Sequence, residues 1–445
     1  MYDLMIIGAG PGGYTAANKA AANGMKTVLF EKRDIGGTCL NRGCIPMKSM
    51  IASANLYEES KTGGLYGIEC SDVSFSYEAI LKRKDEVIDT LRKGIVTSLE
   101  KNKVEIVKGK AVLKDETHVE CNGEIYEGKN IIIATGSVPS LPPIEGIEHA
   151  ITSDHILDEN IALPSSMTII GGGVIGVEIA DALGSLGCRI TVIEMFEHLL
   201  PNMDRDLGQR LAMFFKKKNT DVICSAAVSR IEKTEQGKAV TYTDKKGEQQ
   251  TVESEEVLIA TGRKANLEGI ADVLPDLKIE RGVVADEIGK TSIDNIFVIG
   301  DAKSGNIQLA HVAEAQGENI VDHLLGRPLS NDMSVIPSGI YTKPEIASVG
   351  MLEKQAKEQG IEYQVKKYLT GANGKSLIEN SDSGFVKLIV SDDVIIGGQM
   401  ISLHATELIG ELAIAVEKKM SPKQFGMVVH PHPSISEMLW NVAKE

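Results

Sequence analysis

Short apolar runs that lead into glycine-rich turns recur along the first two thirds of the chain. Leu4 to Ile7 leads into one such turn, and Ile169 with Ile170 leads into another. Each turn is followed by an alanine-rich stretch of helical character and then by a β-branched run that ends in an acidic residue. Strands that alternate with helices in this way are typical of βαβ units around a parallel sheet.

The two segments are near-repeats of each other. The glycine fingerprint begins at Gly8 in the first and at Gly171 in the second, and the acid, Glu31 or Glu194, follows 23 positions later in both. Both segments also close with an apolar strand and the tripeptide Ala-Thr-Gly. The pattern therefore predicts an α/β protein with two Rossmann-like dinucleotide-binding domains.

The pattern changes towards the end of the chain. Apolar residues at helical spacing over 75–101 predict a packing helix, and a third apolar strand ends at Asp301. A helical stretch over 310–325 precedes a break at 326–330, after which strand-like and helical runs mix, as is typical of an α+β domain. We predict a first dinucleotide-binding domain, a second one, a return to the first and a C-terminal domain, at 1–145, 146–264, 265–331 and 332–445.

Charge and composition narrow the class of protein. The formal net charge is −15, so the surface repels phosphate backbones and we expect no nucleic-acid partner. No apolar run approaches the length that spans a bilayer, and the residues before Leu4 offer no secretory signal, so we expect a cytoplasmic protein without a membrane partner. In a reducing compartment, six cysteines in 445 residues form no disulfide scaffold, and a close pair is more often catalytic or metal-binding.

The glycine fingerprints predict two bound dinucleotides. The first glycine permits a tight turn, the second lets the backbone approach the pyrophosphate, and the third lets helix and strand pack closely. The alternative, glycines needed only for packing, leaves the acid at its fixed distance unexplained, whereas an acid there holds ribose hydroxyls. Because Glu194 favours a free 2′-hydroxyl and 195–200 contain no Arg or Lys, we predict NAD rather than NADP. The fingerprint glycines are Gly8, Gly10, Gly13, Gly171, Gly173 and Gly176.

Two cysteines lie five positions apart between Gly36 and Ser49. At this spacing Cys39 and Cys44 can close a small disulfide loop. Pro46 suits the first turn of a following helix, which places Cys44 where backbone potential stabilises a thiolate. The alternatives are a metal half-site and two inert cysteines. A metal site needs about four ligands, and no second Cys pair or His-x-x-x-His cluster is visible in the sequence, so we predict a redox-active pair and no metal.

A histidine segment near the C-terminus supplies a candidate base. It reads His-Pro-His-Pro-Ser-Ile-Ser-Glu over 430–437. Dithiol chemistry needs a base to take the thiol proton, and histidine is suited to this near neutral pH. Glu437 is placed to hold the base in one tautomer. It is equally placed to complete a capping box with Ser434, so that two roles compete for one side chain.

With these motifs in place, the chain resembles the pyridine nucleotide-disulfide oxidoreductase family over nearly its whole length. The most specific likeness is Gly-Gly-Thr-Cys-Leu-Asn-x-Gly-Cys-Ile-Pro-x-Lys at 36–48, followed by His-x-His-Pro-[Thr/Ser]-x-x-Glu at 430–437. The resemblance implies FAD in the first domain, NAD in the second, and a C-terminal domain through which two copies form a homodimer. The chain departs from the family at Met47, where Ser or Thr is common, at Ser434, where Thr is usual, and at Arg42, where Val is often found.

The resemblance also implies roles for individual residues. Cys39 would be the interchange thiol that attacks the substrate disulfide, Cys44 the flavin-side thiol, and His432 the base with Glu437 as its partner. Cofactor contacts beyond the fingerprint glycines and acids are implied for Gly37, Thr38, Lys48, Gly109, Thr135, Gly136, Glu178, Asp301, Gln308, Leu309, Ala310 and His311 at the flavin, and for Val228 and Gly262 at NAD.

The implied reaction is oxidation of protein-bound dihydrolipoamide with NAD as acceptor. The implied partner is a lipoyl-bearing protein of a 2-oxoacid dehydrogenase or glycine cleavage complex. A sibling reductase of glutathione or another soluble disulfide is opposed by Glu194 and by Ile45-Pro46, and a mercuric reductase by the lack of any cysteine after Cys224. A purely structural or docking subunit would have a degraded site, whereas both cysteines, the histidine and both fingerprints are present.

Overall fold

The computed structural model describes residues 1–218, 220–271 and 273–445. Its strands are β1 (Tyr2–Ile7), β2 (Thr27–Glu31), β3 (Glu105–Lys108), β4 (Ala111–Leu113), β5 (His118–Cys121), β6 (Glu124–Ile133), β7 (Ser137–Pro139), β8 (Ile151–Thr152), β9 (Ser166–Ile170), β10 (Arg189–Glu194), β11 (Thr220–Cys224), β12 (Ala227–Thr234), β13 (Gly237–Thr243), β14 (Gln249–Ser254), β15 (Glu256–Ile259), β16 (Arg263–Ala265), β17 (Ile296–Val298), β18 (Ser338–Ile340), β19 (Glu345–Gly350), β20 (Gln364–Leu369), β21 (Phe385–Ser391) and β22 (Val394–Ser402). Its helices are α1 (Pro11–Ala22), α2 (Gly37–Arg42), α3 (Cys44–Lys61), α4 (Tyr77–Lys101), α5 (Ser153–Leu157), α6 (Val174–Ser185), α7 (Arg205–Lys217), α8 (Ala310–Leu324), α9 (Glu353–Glu358), α10 (Gly374–Ile378), α11 (Ala405–Glu417), α12 (Pro422–Gly426) and α13 (Glu437–Lys444). Within these described ranges, no helix combines the length and the apolar character needed to cross a bilayer.

The first sheet is built around the strands that flank the first glycine turn. Its order is β3-β2-β1-β6-β5-β4, and β17 pairs with β6, so the chain returns to this sheet after the second unit. Strand β1 runs parallel to β2 and β6, with Ile7 in register with Phe30 and Ile133. Leu4 and Ile6 pack into one apolar cluster with α1 and α8, while alternate residues of β1 face a second cluster on the other side.

The second sheet repeats this arrangement around the second glycine turn. Its order is β11-β10-β9-β15-β8, and the pairs that flank the turn are parallel, with Ile170 in register with Ile193 and Ile259. Helices α3, α6 and α7 contribute to the apolar cluster on one face of this sheet. A three-stranded antiparallel sheet, β12-β13-β14, contributes to a smaller cluster on the opposite face. The predicted α/β fold with two dinucleotide-binding units is confirmed.

The C-terminal part folds around an antiparallel sheet. Its order is β18-β19-β22-β21-β20, and α11, α12 and α13 pack over the residues of these strands. Val386 and Leu388 of β21 meet Leu412 of α11 and Met438 of α13 in one buried cluster. This layering of helices on one antiparallel sheet agrees with the predicted α+β character.

Two local differences from the sequence-based expectation lie at the candidate site. The cysteine segment is helical: α2 spans Gly37–Arg42, and Asn41 donates through its side-chain amide to the carbonyl of Gly37 at 2.8 Å. The final helix begins at Glu437, so that its N-cap residue is Ser436 and not Ser434, the capping residue considered from the sequence. Ser434 does not cap it, because its hydroxyl is bonded to that of Ser436 at 2.9 Å.

Candidate active site

One cleft of about 1710 Å³ contains both glycine turns and the cysteine pair. The predicted site residues that line it are Gly8, Gly10, Gly13, Glu31, Gly37, Thr38, Cys39, Cys44, Lys48, Gly109, Thr135, Gly136, Gly171, Gly173, Glu178, Glu194, Val228, Gly262, Asp301, Gln308, Leu309, Ala310 and His311. Gly176 packs behind this lining against Gly171. His432 and Glu437 are not part of the lining.

The first glycine turn leaves bare backbone at the cleft. Gly8 has a φ of +108°, and a side chain there would collide with the carbonyl of Ala134. Gly13 packs against the carbonyl of Gly8, which brings α1 close onto β1. Helix α1 follows Gly10 directly, with Pro11 in its first turn, so the free amides of a helix N-terminus lie at this end of the cleft. This arrangement fits a dinucleotide pyrophosphate.

Backbone amides fix the acid at the end of β2. Glu31 Oε2 accepts a hydrogen bond from the amide of Ala9 at 2.9 Å, and Oε1 accepts one from the amide of Arg33 at 2.8 Å. The amide of Gly109 donates to the carbonyl of Glu31 at 2.9 Å, which places Gly109 beside it. Each carboxylate oxygen keeps acceptor capacity, so Glu31 fits a ribose diol.

The second turn has the same geometry. Gly171 has a φ of +112°, and Glu194 Oε2 accepts from the amide of Gly172 at 2.6 Å while Oε1 accepts from that of Phe196 at 2.8 Å. Glu194 is buried at the end of β10 and lines the cleft. The 23-residue spacing seen in both repeats therefore places an oriented carboxylate beside each glycine turn.

Cys39 and Cys44 are free thiols on either side of the α2–α3 junction. Gly43 separates the two helices, and Cys44 is the first residue of α3. A hydrogen bond from Cys39 lowers the pKa of Cys44 to about 7, with a further contribution from the charge of Lys48. The same hydrogen bond and burial raise the pKa of Cys39. The pair is therefore asymmetric, with Cys44 the more acidic thiol and Cys39 the less acidic one.

An ion pair connects the cysteine helix with the second unit. Lys48 Nζ lies 2.8 Å from Oε2 and 3.0 Å from Oε1 of Glu178, whose side chain is buried. Glu178 Oε1 also accepts from the amide of Tyr341 at 3.0 Å, and Lys48 Nζ lies 4.6 Å from the centre of the Tyr341 ring. Helices α3 and α6 and the segment after β18 thus meet at one buried carboxylate beside the thiolate.

Asp301 belongs to a network that sequence reasoning did not identify. Its Oδ2 accepts from the hydroxyl of Ser137 at 2.5 Å, and Arg263 Nε donates to the same hydroxyl at 2.8 Å. Arg263 is mostly buried, and burial lowers its pKa. The sequence signal for Arg263 was its position directly after the second Ala-Thr-Gly tripeptide, which ends at Gly262.

Two further residues near the cysteines were not assigned a role from the sequence. Tyr14 on α1 donates to Glu314 Oε1 at 3.1 Å, and burial, Glu314 and the nearby thiols raise its pKa. Arg42, whose side chain is 7% exposed, lies 3.5 Å from Asp158 and 3.6 Å from Asp34. Its guanidinium lies between these two acids and also lines the cleft.

The histidine segment carries an ordered imidazole–carboxylate pair. His432 Nδ1 lies 2.9 Å from Glu437 Oε1, and Glu437 Oε2 accepts from the amide of Ser434 at 2.9 Å. The hydrogen bond from Ser434 and that from His432 lower the pKa of Glu437. The two roles that compete in the sequence are thus divided between two oxygens. The side chain of His432 is 80% exposed, on the outer surface of the C-terminal part.

The chain belongs to the pyridine nucleotide-disulphide oxidoreductase family. The family model matches residues 2–317, and that of the family's dimerisation domain matches residues 336–443. The predictions of this family, of an enzyme and of FAD and NAD as its cofactors are confirmed. The dimerisation match supports a homodimer.

Among the similar proteins are two named dihydrolipoyl dehydrogenase. The one from Geobacillus stearothermophilus is 36% identical over 99% of this chain and 95% of the relative, and one from Bacillus subtilis (strain 168) is 36% identical over 99% and 97%. A similar solved structure is the HOCl-induced flavoprotein disulfide reductase RclA from Escherichia coli, with a TM-score of 0.87, 27% identity and coverage of 100% and 99%.

Proposed function

We propose that this protein oxidises dihydrolipoamide carried by another protein and passes the electrons to NAD. The observation that carries this proposal is that Cys39 and Cys44 line the same cleft as both glycine turns and their two acids, Glu31 and Glu194. Because Cys44 is the more acidic thiol, it would be the sulfur on the flavin side, and Cys39 would be the sulfur that exchanges with substrate. The similar proteins named dihydrolipoyl dehydrogenase support the same substrate.

In the oxidising direction, a substrate thiolate attacks the sulfur of Cys39 in the Cys39–Cys44 disulfide. The bond between Cys39 and Cys44 breaks, and Cys44 leaves as the thiolate that its surroundings stabilise. The second substrate thiol loses its proton to a base and attacks the first substrate sulfur, which releases cyclic lipoamide and reduced Cys39. FAD held by the first glycine turn, Glu31 and Asp301 would supply the two-electron redox chemistry that links the reduced cysteines to NAD.

The base in this proposal is His432, oriented by Glu437. Its Nε2 is available because Nδ1 is turned to Glu437, and the ring is exposed. His432 does not line the cleft of its own chain. We therefore infer that the thiols of one copy meet His432 of a second copy in a symmetric dimer, which makes two equivalent sites.

The remaining assignments follow the same proposal. The first glycine turn, Glu31 and Asp301 would hold FAD, and the second glycine turn with Glu194 would hold NAD. The domain divisions at 1–145, 146–264, 265–331 and 332–445, a cytoplasmic location and a lipoyl-bearing partner of a 2-oxoacid dehydrogenase or glycine cleavage complex belong to it as well.

A substrate panel tests this function. The purified protein with FAD is assayed with dihydrolipoamide and NAD, with glutathione disulfide and NADH, and with glutathione disulfide and NADPH. We expect dihydrolipoamide with NAD to give the highest kcat/KM. A higher value with glutathione disulfide would instead assign the protein to the soluble-disulfide reductases.

A further inference from the structure

A second histidine–carboxylate pair lies two residues before His432. The side chain of His430 is 6% exposed. Its Nδ1 lies 2.9 Å from the carbonyl oxygen of Val428, and its Nε2 lies 3.0 Å from Oε2 of Glu411 on α11. The motif at 430–437 thus contains two histidines: His430 is buried with both ring nitrogens bonded, and His432 is exposed.

Both ring nitrogens of His430 face oxygen atoms. A backbone carbonyl and a carboxylate both accept hydrogen bonds and have no hydrogen to donate. Both ring nitrogens of His430 are therefore engaged, Nδ1 with the carbonyl of Val428 and Nε2 with the carboxylate of Glu411. With neither nitrogen free, His430 does not serve as a base.

The ring of His430 connects the segment before His432 with three helices. It stacks on Trp440 of α13 with ring centroids 6.1 Å apart, and Phe425 of α12 lies at the same distance. Trp440 Nε1 donates to the carbonyl of Gly426 at 2.8 Å, which fixes the end of α12. Through Glu411 the ring is also tied to α11. The exposed stretch Met427–Val429 has little packing of its own, so these contacts determine its path.

We propose that His430 and Glu411 are positioning residues that hold the backbone leading to His432. The proposal rests on the proposed function, in which His432 is the base. The bond from Nδ1 to the carbonyl of Val428 closes a short turn over 428–430, and the bond from Nε2 to Glu411 attaches that turn to α11. Without the anchor, His432 loses its fixed distance to the thiols that it serves.

Two substitutions of Glu411 separate a hydrogen bond from a general packing effect. Glu411→Ala removes the acceptor. Glu411→Gln keeps a side chain of the same shape that can still hydrogen-bond to Nε2, because an amide both donates and accepts. We expect Glu411→Ala to lower kcat for dihydrolipoamide oxidation about tenfold, a part of the effect of a general base, with KM unchanged, and Glu411→Gln to retain most of kcat. Reduction of ferricyanide by NADH needs neither base nor Cys39 and should be unchanged in both.

Controls distinguish failure of this inference from failure of the proposed function. Glu407→Ala removes an exposed acid one turn earlier on α11 and should leave both activities unchanged. Dihydrolipoamide oxidation retained in His432→Ala would overturn the assignment of His432 as the base, whereas no oxidation by the wild-type protein with bound FAD would overturn the proposed function. An inactive His432→Ala together with full kcat in Glu411→Ala would overturn the positioning role, as would equal losses in Glu411→Ala and Glu411→Gln or a parallel loss of ferricyanide reduction.

Discussion

Lys48 Nζ lies 2.8 Å from Oε2 of Glu178 and is also the cation that lowers the pKa of Cys44. Lys48 is one helical turn beyond Cys44 on α3, so its charge lies on the same side of the helix. The side chain of Glu178 is 4% exposed, which keeps the ion pair in a fixed place. Lys48 thus connects Cys44 of the cysteine pair with Glu178 of the second nucleotide-binding unit.

Lys48→Met should raise the pKa of Cys44 above its value of about 7. Removal of the cation disfavours the thiolate and leaves the negative charge of Glu178 unneutralised nearby. The pH midpoint for alkylation of the reduced pair should move upward by about one pH unit. Lys61→Met, at the far end of the same helix, is the control and should leave the midpoint in place. An unchanged midpoint in Lys48→Met would show that Lys48 does not lower the pKa of Cys44.

Cys44→Ser and Cys39→Ser should differ in their spectra. A thiolate beside an oxidised flavin gives a long-wavelength absorbance band, and we expect that thiolate at Cys44. Cys39→Ser should therefore show the band near neutral pH, and Cys44→Ser should lack it while retaining FAD, which other residues hold. A band in Cys44→Ser and none in Cys39→Ser would reverse the two roles.

Glu194→Ala should weaken the use of NAD more than that of NADP. A hydrogen bond to a charged group is worth about 1.5–3 kcal/mol, so kcat/KM for NAD should fall about ten- to hundredfold. NADP should lose less, because the substitution also removes a negative charge that repels its 2′-phosphate. Steady-state kinetics with both cofactors measure this, and an equal loss for the two would contradict the assignment.

The fold, the two glycine turns and their acids could be predicted from the sequence, because they depend on residues that are close to each other along the chain. Gly8 and Gly171 need a backbone that only glycine adopts easily, and each acid is a fixed number of residues further on. The short helix at 37–42 was not predicted. The sequence does not distinguish it from a loop, because the side-chain bond from Asn41 to Gly37 is visible only in the structure.

The contacts that escaped prediction join distant parts of the chain. Ser137 with Asp301, and Tyr14 with Glu314, are more than 160 positions apart, and no local pattern reports such a pairing. The two hydrogen bonds of Glu437 could not be predicted either. Only the structure shows that one carboxylate oxygen bonds to the amide of Ser434 and the other to the ring of His432.

Mixed dimers should regain activity if base and thiols come from different copies. Cys44→Ser and His432→Ala chains are combined by co-expression with two different tags. In a mixed dimer, one site carries both substitutions and the other carries neither. Random pairing makes about half of the dimers mixed, so about a quarter of all sites should be intact. Activity at the background of the single variants, in tag-purified mixed dimers, would show that each chain builds its own site.

The central claim is that Cys39 and Cys44 carry electrons from dihydrolipoamide to NAD. Its most direct test is NADH formation from dihydrolipoamide by the wild-type protein and by Cys39→Ser at equal FAD content, with ferricyanide reduction by NADH as the internal reference. The account predicts that Cys39→Ser loses NADH formation and keeps ferricyanide reduction. NADH formation at the wild-type rate in Cys39→Ser, or none in the wild-type protein with bound FAD, would contradict it.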